Sequence, residues 1–385
     1  MKRYLFVFII IWACLSCNGS EKVDLEAEIQ KVMSEYEAIG ASVVVVKNNK
    51  ICYHQTFGYN PDYNDTTLRK PIPEDGIYWL ASVSKTFIST AIMQLMEKRK
   101  LKLDDDINKY LKFSVRNPKY PETPITVRML LCHRSSLNDN HYGWSFNLMK
   151  LDSESYYDSF NEYEPGEKYD YCNLGYTLLG AIIETVTGMR FDEYIDRFIC
   201  EPLHLEGSFN LTRIDSEKLV RTYLYDKSTN EFSIDKTIHD YKYVNKKLAD
   251  YELGISTSSL SPAGGMRISA TDLAKWMMVH MNYGKYDGKR IIKRRTEKKM
   301  WKPYWTDQNY AFAFSQYDKI VKGEKFIGMT GGSHGISSVM FFNPFKKYGF
   351  VVITNGYKPT SIKGRLSSLA RELVRPLYNE FISEQ

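Results

Sequence analysis

Runs of apolar residues with helical or strand spacing follow one another along the chain, and their order predicts the fold. Residues 23–37 have the spacing of an amphipathic helix, and 41–46 and 50–58 have that of two strands joined by a turn at Asn48-Asn49. The remaining predicted elements are helices at 84–98, 126–131, 175–188 and 271–283 and strands at 337–342 and 350–355. Strand patterns therefore lie near both ends of the chain, and helical patterns fill the middle.

This order predicts a sheet lobe interrupted by an inserted helical lobe, together one domain over 23–380. The sheet lobe takes about 23–80 and 261–380, and the helical lobe takes about 81–260. Residues 209–260 are polar and rich in tyrosine, and the pattern there assigns no element.

The first residues have the pattern of an export signal. Lys2 and Arg3 precede an apolar run at 5–13, and a small residue then precedes Cys17. The run is too short to span a bilayer, which needs about 20 apolar residues. The pattern resembles a bacterial lipoprotein signal. It predicts removal of 1–16, lipidation of Cys17, a membrane tether at 17–22 and a periplasmic or cell-surface place in the bacterial envelope. An uncleaved anchor or a plain secretory signal is the alternative.

Composition narrows the function only slightly. The chain has 385 residues, 43% of them hydrophobic, and a formal charge of +6, which falls to +4 when Lys2 and Arg3 leave with the signal. This balance gives no reason to expect a nucleic-acid partner. The cysteines lack metal-binding spacing, and neither a metal nor an organic cofactor is predicted. Those downstream of the signal, which no spacing pairs into disulfides, are Cys52, Cys132, Cys172 and Cys200.

The first candidate for chemistry is an S-x-x-K sequence, Ser82 to Lys85, at the start of a predicted helix. Residues three apart share one helix face, so the Ser82 hydroxyl and the Lys85 amine can approach each other. Burial lowers a lysine pKa from about 10.4 toward neutrality, and a neutral amine can accept the serine proton. The pair is a candidate nucleophile and base for acyl transfer, although most S-x-x-K sequences are ordinary helix starts.

A second candidate, Tyr171-Cys172-Asn173, precedes the helix predicted at 175–188. Residues two apart on an extended segment point the same way. Tyr171 can therefore exchange protons with Ser82, and Asn173 can orient Lys85 or an acyl group. A helix-capping asparagine beside a packed tyrosine would have the same sequence.

A third candidate is the glycine-rich segment 329–335, directly before the strand predicted at 337–342. Glycines at a strand edge let the backbone approach a substrate, which makes Thr330, Gly331 and Gly332 candidate positioning residues. A backbone N–H there would be a second oxyanion donor beside that of Ser82. A glycine-rich bulge without chemistry is the alternative.

These motifs, in this order, resemble the S-x-x-K, Y-x-N and K/H-x-G elements of the serine β-lactamase and penicillin-binding-protein superfamily, in particular its class C-like branch. Similar stretches outside the site are 39–41, 130–137, 178–180, 201–203 and 262–266. The resemblance, over about 25–360, implies an α/β fold with an antiparallel sheet lobe flanked by helices and an inserted all-helical lobe. It also implies roles: Ser82 as nucleophile, Lys85 as its base, Tyr171 as acid and base for leaving group and acceptor, and Asn173 as a positioning residue.

The chain departs from the family pattern at an informative position. Met329 occupies the place where the family usually has Lys or His, so it supplies no cation for the carboxylate of a penicillin or a peptide C-terminus. This weakens the alternatives of a β-lactamase and of a D-Ala-D-Ala carboxypeptidase, and a D-aminopeptidase is a further alternative. His334 is a candidate to assist proton transfer or to bind a substrate carboxylate, unless it is only an exposed turn residue. His133 is expected to be structural.

The prediction is a serine hydrolase or acyltransferase that takes an acyl group from a small-molecule ester or amide onto Ser82. Water, an alcohol or an amine can then accept the acyl group, and the same residues serve each case. Residues 331–335 also match the G-x-S-x-G elbow of α/β-hydrolases, but no histidine follows His334 to complete that triad. A non-catalytic surface protein that binds a ligand through its many tyrosines is a further alternative.

Overall fold

The computed structural model describes residues 24–61, 69–141, 154–359 and 368–383. The predicted signal at 1–16, the lipidation site Cys17 and the tether at 17–22 lie outside these ranges. The helices are α1 (Leu25–Glu35), α2 (Lys85–Glu97), α3 (Val127–Leu131), α4 (Glu154–Asp158), α5 (Asn173–Thr187), α6 (Phe191–Ile195), α7 (Glu201–Leu203), α8 (Tyr241–Ala249), α9 (Ala270–Met281), α10 (Arg294–Trp301) and α11 (Ser368–Phe381). No helix in the described ranges combines the length and apolar character needed to cross a membrane.

The strands pair mainly into one antiparallel sheet. Their bounds are β1 (Gly40–Lys47), β2 (Lys50–Pro61), β3 (Arg69–Pro71), β4 (Ile77–Trp79), β5 (Gly207–Ser208), β6 (Tyr223–Asp226), β7 (Glu231–Ile234), β8 (Arg267–Ser269), β9 (Lys285–Tyr286), β10 (Lys289–Arg290), β11 (Ser315–Tyr317), β12 (Phe326–Ser333), β13 (Ile336–Asn343) and β14 (Tyr348–Thr354). The main sheet has the order β11-β12-β13-β14-β1-β2-β3, so strands from the two ends of the chain meet at the β14–β1 pair.

Helices cover both faces of this sheet, which explains why its central strands lack an alternating pattern. Val43 and Val45 of β1 point into a core shared with α1 and α11, and Val44 and Val46 point into the larger core that contains α9 and the helical layer. Successive strand residues face opposite sides, so a strand buried on both sides is apolar throughout.

The helical layer is built around α2 and α5. These two helices pack together, with α3 and α6 beside them, and their buried side chains belong to the larger core. Residues 209–260, which the sequence left unassigned, hold the β6–β7 hairpin, α8 and a 3₁₀ turn at Ser256–Leu260. The cysteines Cys52, Cys132, Cys172 and Cys200 are free thiols.

Candidate active site

Ser82 lies in a 3₁₀ turn, Ala81–Ser84, between β4 and α2, rather than within the helix itself. Ala81 adopts a left-handed backbone conformation with φ of 49°, which turns the chain sharply before the serine. Backbone and hydroxyl bonds fix the turn: Leu80 N donates to Met266 O at 2.9 Å, and Ser338 Oγ donates to Leu80 O at 2.7 Å. Ser82 is only partly buried, so its hydroxyl is presented on a rigid base.

Lys85 is fully buried at the first position of α2, with three polar atoms around its amine. The Nζ atom lies 3.1 Å from Ser82 Oγ, and it donates to Asn173 Oδ1 at 2.7 Å and to Ala263 O at 2.8 Å. Burial lowers the pKa of Lys85 to about 7, against the opposing charge of Asp139. A neutral amine has two hydrogens for the two carbonyl oxygens, which leaves its lone pair for the Ser82 proton.

Asn173 is held in place by Asp139, a residue that the sequence analysis did not single out. Asp139 Oδ2 accepts from Asn173 N and from Asn173 Nδ2, both at 2.8 Å, and its Oδ1 accepts from Leu174 N at 3.0 Å. The carboxylate thus caps α5, whose own N-cap residue Cys172 makes no side-chain capping bond. Because its backbone N–H and its side-chain Nδ2 both donate to Asp139, Asn173 directs its Oδ1 to Lys85.

Tyr171 stands beside Lys85 within a buried aromatic group. The Lys85 Nζ atom lies 4.9 Å from the centre of the Tyr171 ring, and the His133 ring packs against the other side with centroids 4.2 Å apart. The Tyr171 hydroxyl is buried and has no hydrogen bond within 3.5 Å to a described residue, although its proximity to Ser82 acts to lower its pKa. Burial outweighs that effect and raises the pKa of Tyr171 well above its usual value, so the phenol is neutral at rest.

His133 is a buried support for this group. Its Nδ1 accepts from Cys172 N at 3.1 Å, so the proton is on Nε2, which donates to Tyr310 Oη at 3.0 Å. Burial, together with the positive charge of Lys85, lowers the pKa of His133 well below its usual value. A neutral His133 with both nitrogens engaged holds the segment that carries Tyr171.

Strand β12 passes directly against the serine turn at Gly331. A Cβ atom added to Gly331 would lie 2.3 Å from Leu80 O and 3.0 Å from Ser82 N, so only glycine allows this approach. Gly332 is exposed beyond it, on the open part of the strand. Thr330 faces the other side of the sheet, where its side chain interacts with the Tyr317 hydroxyl. Its backbone, rather than its side chain, is near the serine.

Met329 and His334 also lie on or beside this strand. Met329 shares a face with Gly331 and is 3% exposed, packed into the larger core. His334, in the β12–β13 turn, has a left-handed φ of 47°, and its Nδ1 lies 2.6 Å from Asp235 Oδ2. Its ring meets the edge of Trp79 at a centroid distance of 5.4 Å. The structure therefore places Ser82, Lys85, Tyr171, Asn173 and Gly331 together, with His334 paired to Asp235 at the end of the strand.

No group of three or more His, Cys, Asp or Glu side chains is arranged to hold a metal ion within the described ranges. The polar atoms around Ser82 are those of an amine, an amide, a phenol and backbone N–H groups. Such a set supports nucleophilic acyl chemistry without requiring a cofactor.

A model of the family described as Beta-lactamase matches residues 25–374. Protein flp of Staphylococcus aureus strain N315 is 25% identical over 357 residues, a match that covers 89% of this chain. The chain spans 64% of the length of that relative.

Solved structures resemble the whole domain. The octameric penicillin-binding protein homologue from Pyrococcus abyssi superimposes with a TM-score of 0.71 at 26% identity, over 92% of this chain and 77% of that chain. The D-amino acid amidase from Ochrobactrum anthropi SV3, complexed with L-phenylalanine amide, gives 0.67 at 20% identity, over 93% and 99%. This likeness confirms the predicted fold. The match covers 99% of the amidase chain, so that protein folds within this extent.

Proposed function

Because the chain belongs to the beta-lactamase family, whose members are serine hydrolases, we propose that it forms an acyl-enzyme on Ser82. The observation that carries this proposal is the buried amine of Lys85, 3.1 Å from Ser82 Oγ, with a pKa lowered to about 7. A lysine in that state is a base at neutral pH, and a base in contact with a serine hydroxyl is what a serine nucleophile needs.

In the proposed first half-reaction, Ser82 Oγ attacks the carbonyl carbon of an ester or amide, and the Ser82 proton moves to Lys85. The Ser82 N–H and an N–H of the strand beyond Gly331 stabilise the negative charge that develops on the carbonyl oxygen. Tyr171 gives its proton to the departing alcohol or amine and recovers a proton from Lys85. The acyl group then remains on Ser82, and Lys85 is neutral again.

The second half-reaction is the same sequence in reverse with another acceptor. Water, an alcohol or an amine takes the place of the leaving group, loses its proton to the Tyr171–Lys85 pair, and attacks the acyl carbon. With water the protein is a hydrolase, and with an alcohol or amine it is an acyltransferase. Asn173 keeps Lys85 oriented throughout.

The proposed substrates are small esters or amides without a carboxylate at the Met329 position. The 3% exposure of Met329 supports this choice, because an uncharged side chain packed in the core offers no cation there. An amino-acid amide of the kind bound by the amidase neighbour has no free carboxylate and is therefore a second candidate substrate class. Penicillins and peptides with a free C-terminus fit this position less well.

Mass spectrometry of the protein after brief exposure to p-nitrophenyl acetate, to amino-acid amides and to a fluorescent penicillin tests the proposal. An ester- or amide-derived adduct on the peptide that contains Ser82, absent from Ser82→Ala, is the expected result. Ser333→Ala, which changes an exposed serine at the end of β12, is the matched control and should keep the adduct. A stable penicillin adduct alone would instead favour a β-lactam-recognising protein, and no adduct would favour the ligand-binding alternative.

We further propose that the chain is exported and held at the bacterial envelope by a lipid on Cys17. The signal pattern at 1–17 is the support for this proposal. Metabolic labelling with a fatty-acid analogue in the native cell type should label the protein and should fail for Cys17→Ala. Labelling that survives Cys17→Ala would contradict the site.

A further inference from the structure

A strongly basic surface lies away from Ser82, on β9, β10 and α10. Nine of the eighteen residues from 285 to 302 are Lys or Arg, against the two carboxylates Asp287 and Glu297, which gives this segment a formal charge of +7. The whole chain carries +6, so this one segment accounts for the entire excess. The basic residues, all exposed, are Lys285, Lys289, Arg290, Lys293, Arg294, Arg295, Lys298, Lys299 and Lys302. We call them, with Phe345, Lys346 and Lys347, the basic surface.

Within this surface Lys346 pairs with a carboxylate, that of Glu324, at 2.7 Å, whereas the nine cations of 285–302 have no carboxylate partner in the described ranges. Among the described residues, none of the nine forms a salt bridge, and Glu297 is turned inward, where its Oε1 lies 2.7 Å from His280 Nδ1. On α10, Arg294 and Lys298 are four residues apart, as are Arg295 and Lys299, so like charges are neighbours on the helix surface. Such pairs destabilise a helix. The arrangement therefore costs folding stability and points to a function for the charge.

The β13–β14 turn continues the same surface. The Lys347 amine donates to Met281 O at 2.8 Å and to Asn282 Oδ1 at 3.1 Å, at the end of α9. The Tyr283 ring lies within 5.7 Å of the charged groups of Arg294, Lys298 and Lys347. One aromatic ring thus joins α10 to the turn, and the two segments form a continuous patch.

Phe345 gives this patch an apolar tip. Its side chain is 82% exposed, between Pro344 and Lys346, and its backbone N–H donates to Asn343 Oδ1 at 3.0 Å, which fixes the turn. A soluble polyanion would gain little from an exposed phenylalanine. An anionic bilayer offers phosphate groups for the lysines and an apolar layer below them for the ring. The combination of cations and an aromatic tip favours a membrane.

The position of the basic surface in the fold agrees with this partner. Ser338, bonded to the serine turn, and Asn343, at the β13–β14 turn, are five residues apart on β13, about 17 Å. The last helix ends near the same end as the turn, since Lys47 Nζ donates to Phe381 O at 2.7 Å and the Tyr53 ring packs on Phe381 with centroids 5.0 Å apart. The first helix begins nearby: burial raises the pKa of Tyr53, and the charge of Glu26 adds a smaller effect in the same direction. Helices α1 and α11 pack in the core on the other face of the sheet from α9.

The predicted tether would enter at this end. Cys17 precedes Asp24 by seven residues, and seven extended residues reach about 25 Å. A lipid on Cys17 would therefore allow the basic surface to touch the bilayer.

We propose that the basic surface docks onto an anionic lipid bilayer, with Phe345 entering the headgroup layer. Docking in this way turns the side of the domain that carries Ser82 away from the membrane, toward the surrounding solution. The proposal does not depend on the reaction at Ser82, and it applies to the folded domain without its lipid.

The test uses residues 24–385 without the tether and measures co-sedimentation with phosphatidylcholine vesicles, with and without phosphatidylglycerol. We expect binding only to the vesicles that contain phosphatidylglycerol, and weaker binding as salt rises. Replacing four cations of the surface by glutamine should weaken binding by about tenfold or more. These four substitutions are Arg295→Gln, Lys298→Gln, Lys299→Gln and Lys302→Gln. The matched control, with the same change in net charge elsewhere, is Lys227→Gln, Lys236→Gln, Lys242→Gln and Lys246→Gln, and it should bind as the parent does.

A second pair of variants tests the aromatic tip. Phe345→Ser should weaken vesicle binding, whereas Tyr157→Ser, at a tyrosine that is 58% exposed, should not. Absence of binding to anionic vesicles, or equal loss in the control set, would overturn the proposal. Tight binding to heparin with no effect of Phe345→Ser on vesicles would also overturn it, in favour of a soluble polyanion.

Discussion

Lysines lie near both ends of the central sheet, and they differ in their exposure to water. Near Ser82, Lys85 is fully buried between three polar atoms, and its pKa falls to about 7. At the other end, the lysines of α10 are exposed to water and have no carboxylate partners among the described residues. The same side chain is a base where burial removes water and a fixed charge where water remains. Four variants test this difference.

Removal of the buried lysine should have the largest effect. Lys85→Ala leaves Ser82 without a base and leaves Asn173 Oδ1 and Ala263 O without a donor. Acylation by p-nitrophenyl acetate should therefore fall by about a thousandfold or more, measured by stopped-flow release of p-nitrophenolate. Lys98→Ala, at an exposed lysine just after the same helix, should keep the parent rate. An unchanged rate in Lys85→Ala would remove the lysine from the mechanism.

Tyr171→Phe should have the next largest effect, and one that depends on the leaving group. A neutral phenol is needed as a proton donor only when the leaving group is basic. Turnover of an alkyl ester or amide should fall by about a hundredfold, whereas release of p-nitrophenolate, which leaves without a proton, should change less. Rates for a series of esters with rising leaving-group pKa measure the difference. Equal losses along the series would assign Tyr171 a packing role.

Asp139→Asn should have a smaller effect with a distinct signature. The asparagine places an NH₂ group where Asp139 accepts three N–H bonds, so Asn173 and Lys85 should shift and kcat should fall by about tenfold. The Asp139 charge acts to raise the pKa of Lys85. Without that charge, the acid limb of the acylation profile should move to lower pH. A limb that stays in place, or moves to higher pH, would contradict this electrostatic effect of Asp139 on Lys85.

Neutralising exposed cations of the basic surface should have the smallest effect on the acylation rate. The α10 set of four glutamine substitutions should leave acylation by p-nitrophenyl acetate within about twofold of the parent rate, because water screens exposed charges at this separation. Kinetic assays in solution, without vesicles, measure this. A large loss would mean that the two ends of the sheet are coupled, which the contrast between them does not predict.

Local patterns predicted most of the fold. The strand expected at 337–342 is β13 (Ile336–Asn343), and the helix expected at 271–283 is α9 (Ala270–Met281). Both elements are largely buried, and buried elements have long apolar runs that the sequence shows. Residues 209–260 gave no assignment, since their elements are short and largely exposed. The segment 329–335 was expected to precede a strand, but most of it belongs to a strand of its own, β12 (Phe326–Ser333). The period of two along β12 turns the Thr330 side chain away from the serine.

The contacts that complete the site could not be predicted in this way. Asp139 lies 34 residues before Asn173, and Asp235 lies 99 residues before His334, so neither pair leaves a local spacing to recognise. The sequence contains the run of Lys and Arg at 285–302, but the modest net charge of the whole chain gives no indication of it. The exposure of these cations, their lack of carboxylate partners among the described residues and their distance from Ser82 depend on how the chain folds.

The pH dependence of Ser82 acylation is the most direct test of Lys85 as the base that activates Ser82. Because Lys85 accepts a proton only when neutral, and burial lowers its pKa to about 7, the acylation rate with p-nitrophenyl acetate should be low in acid and rise as the pH passes through about 7. The rate should then reach a plateau, and Ser82→Ala should show no such limb. A rate that is flat from acid to alkaline pH, or that rises only near the usual lysine pKa of about 10.4, would contradict the account.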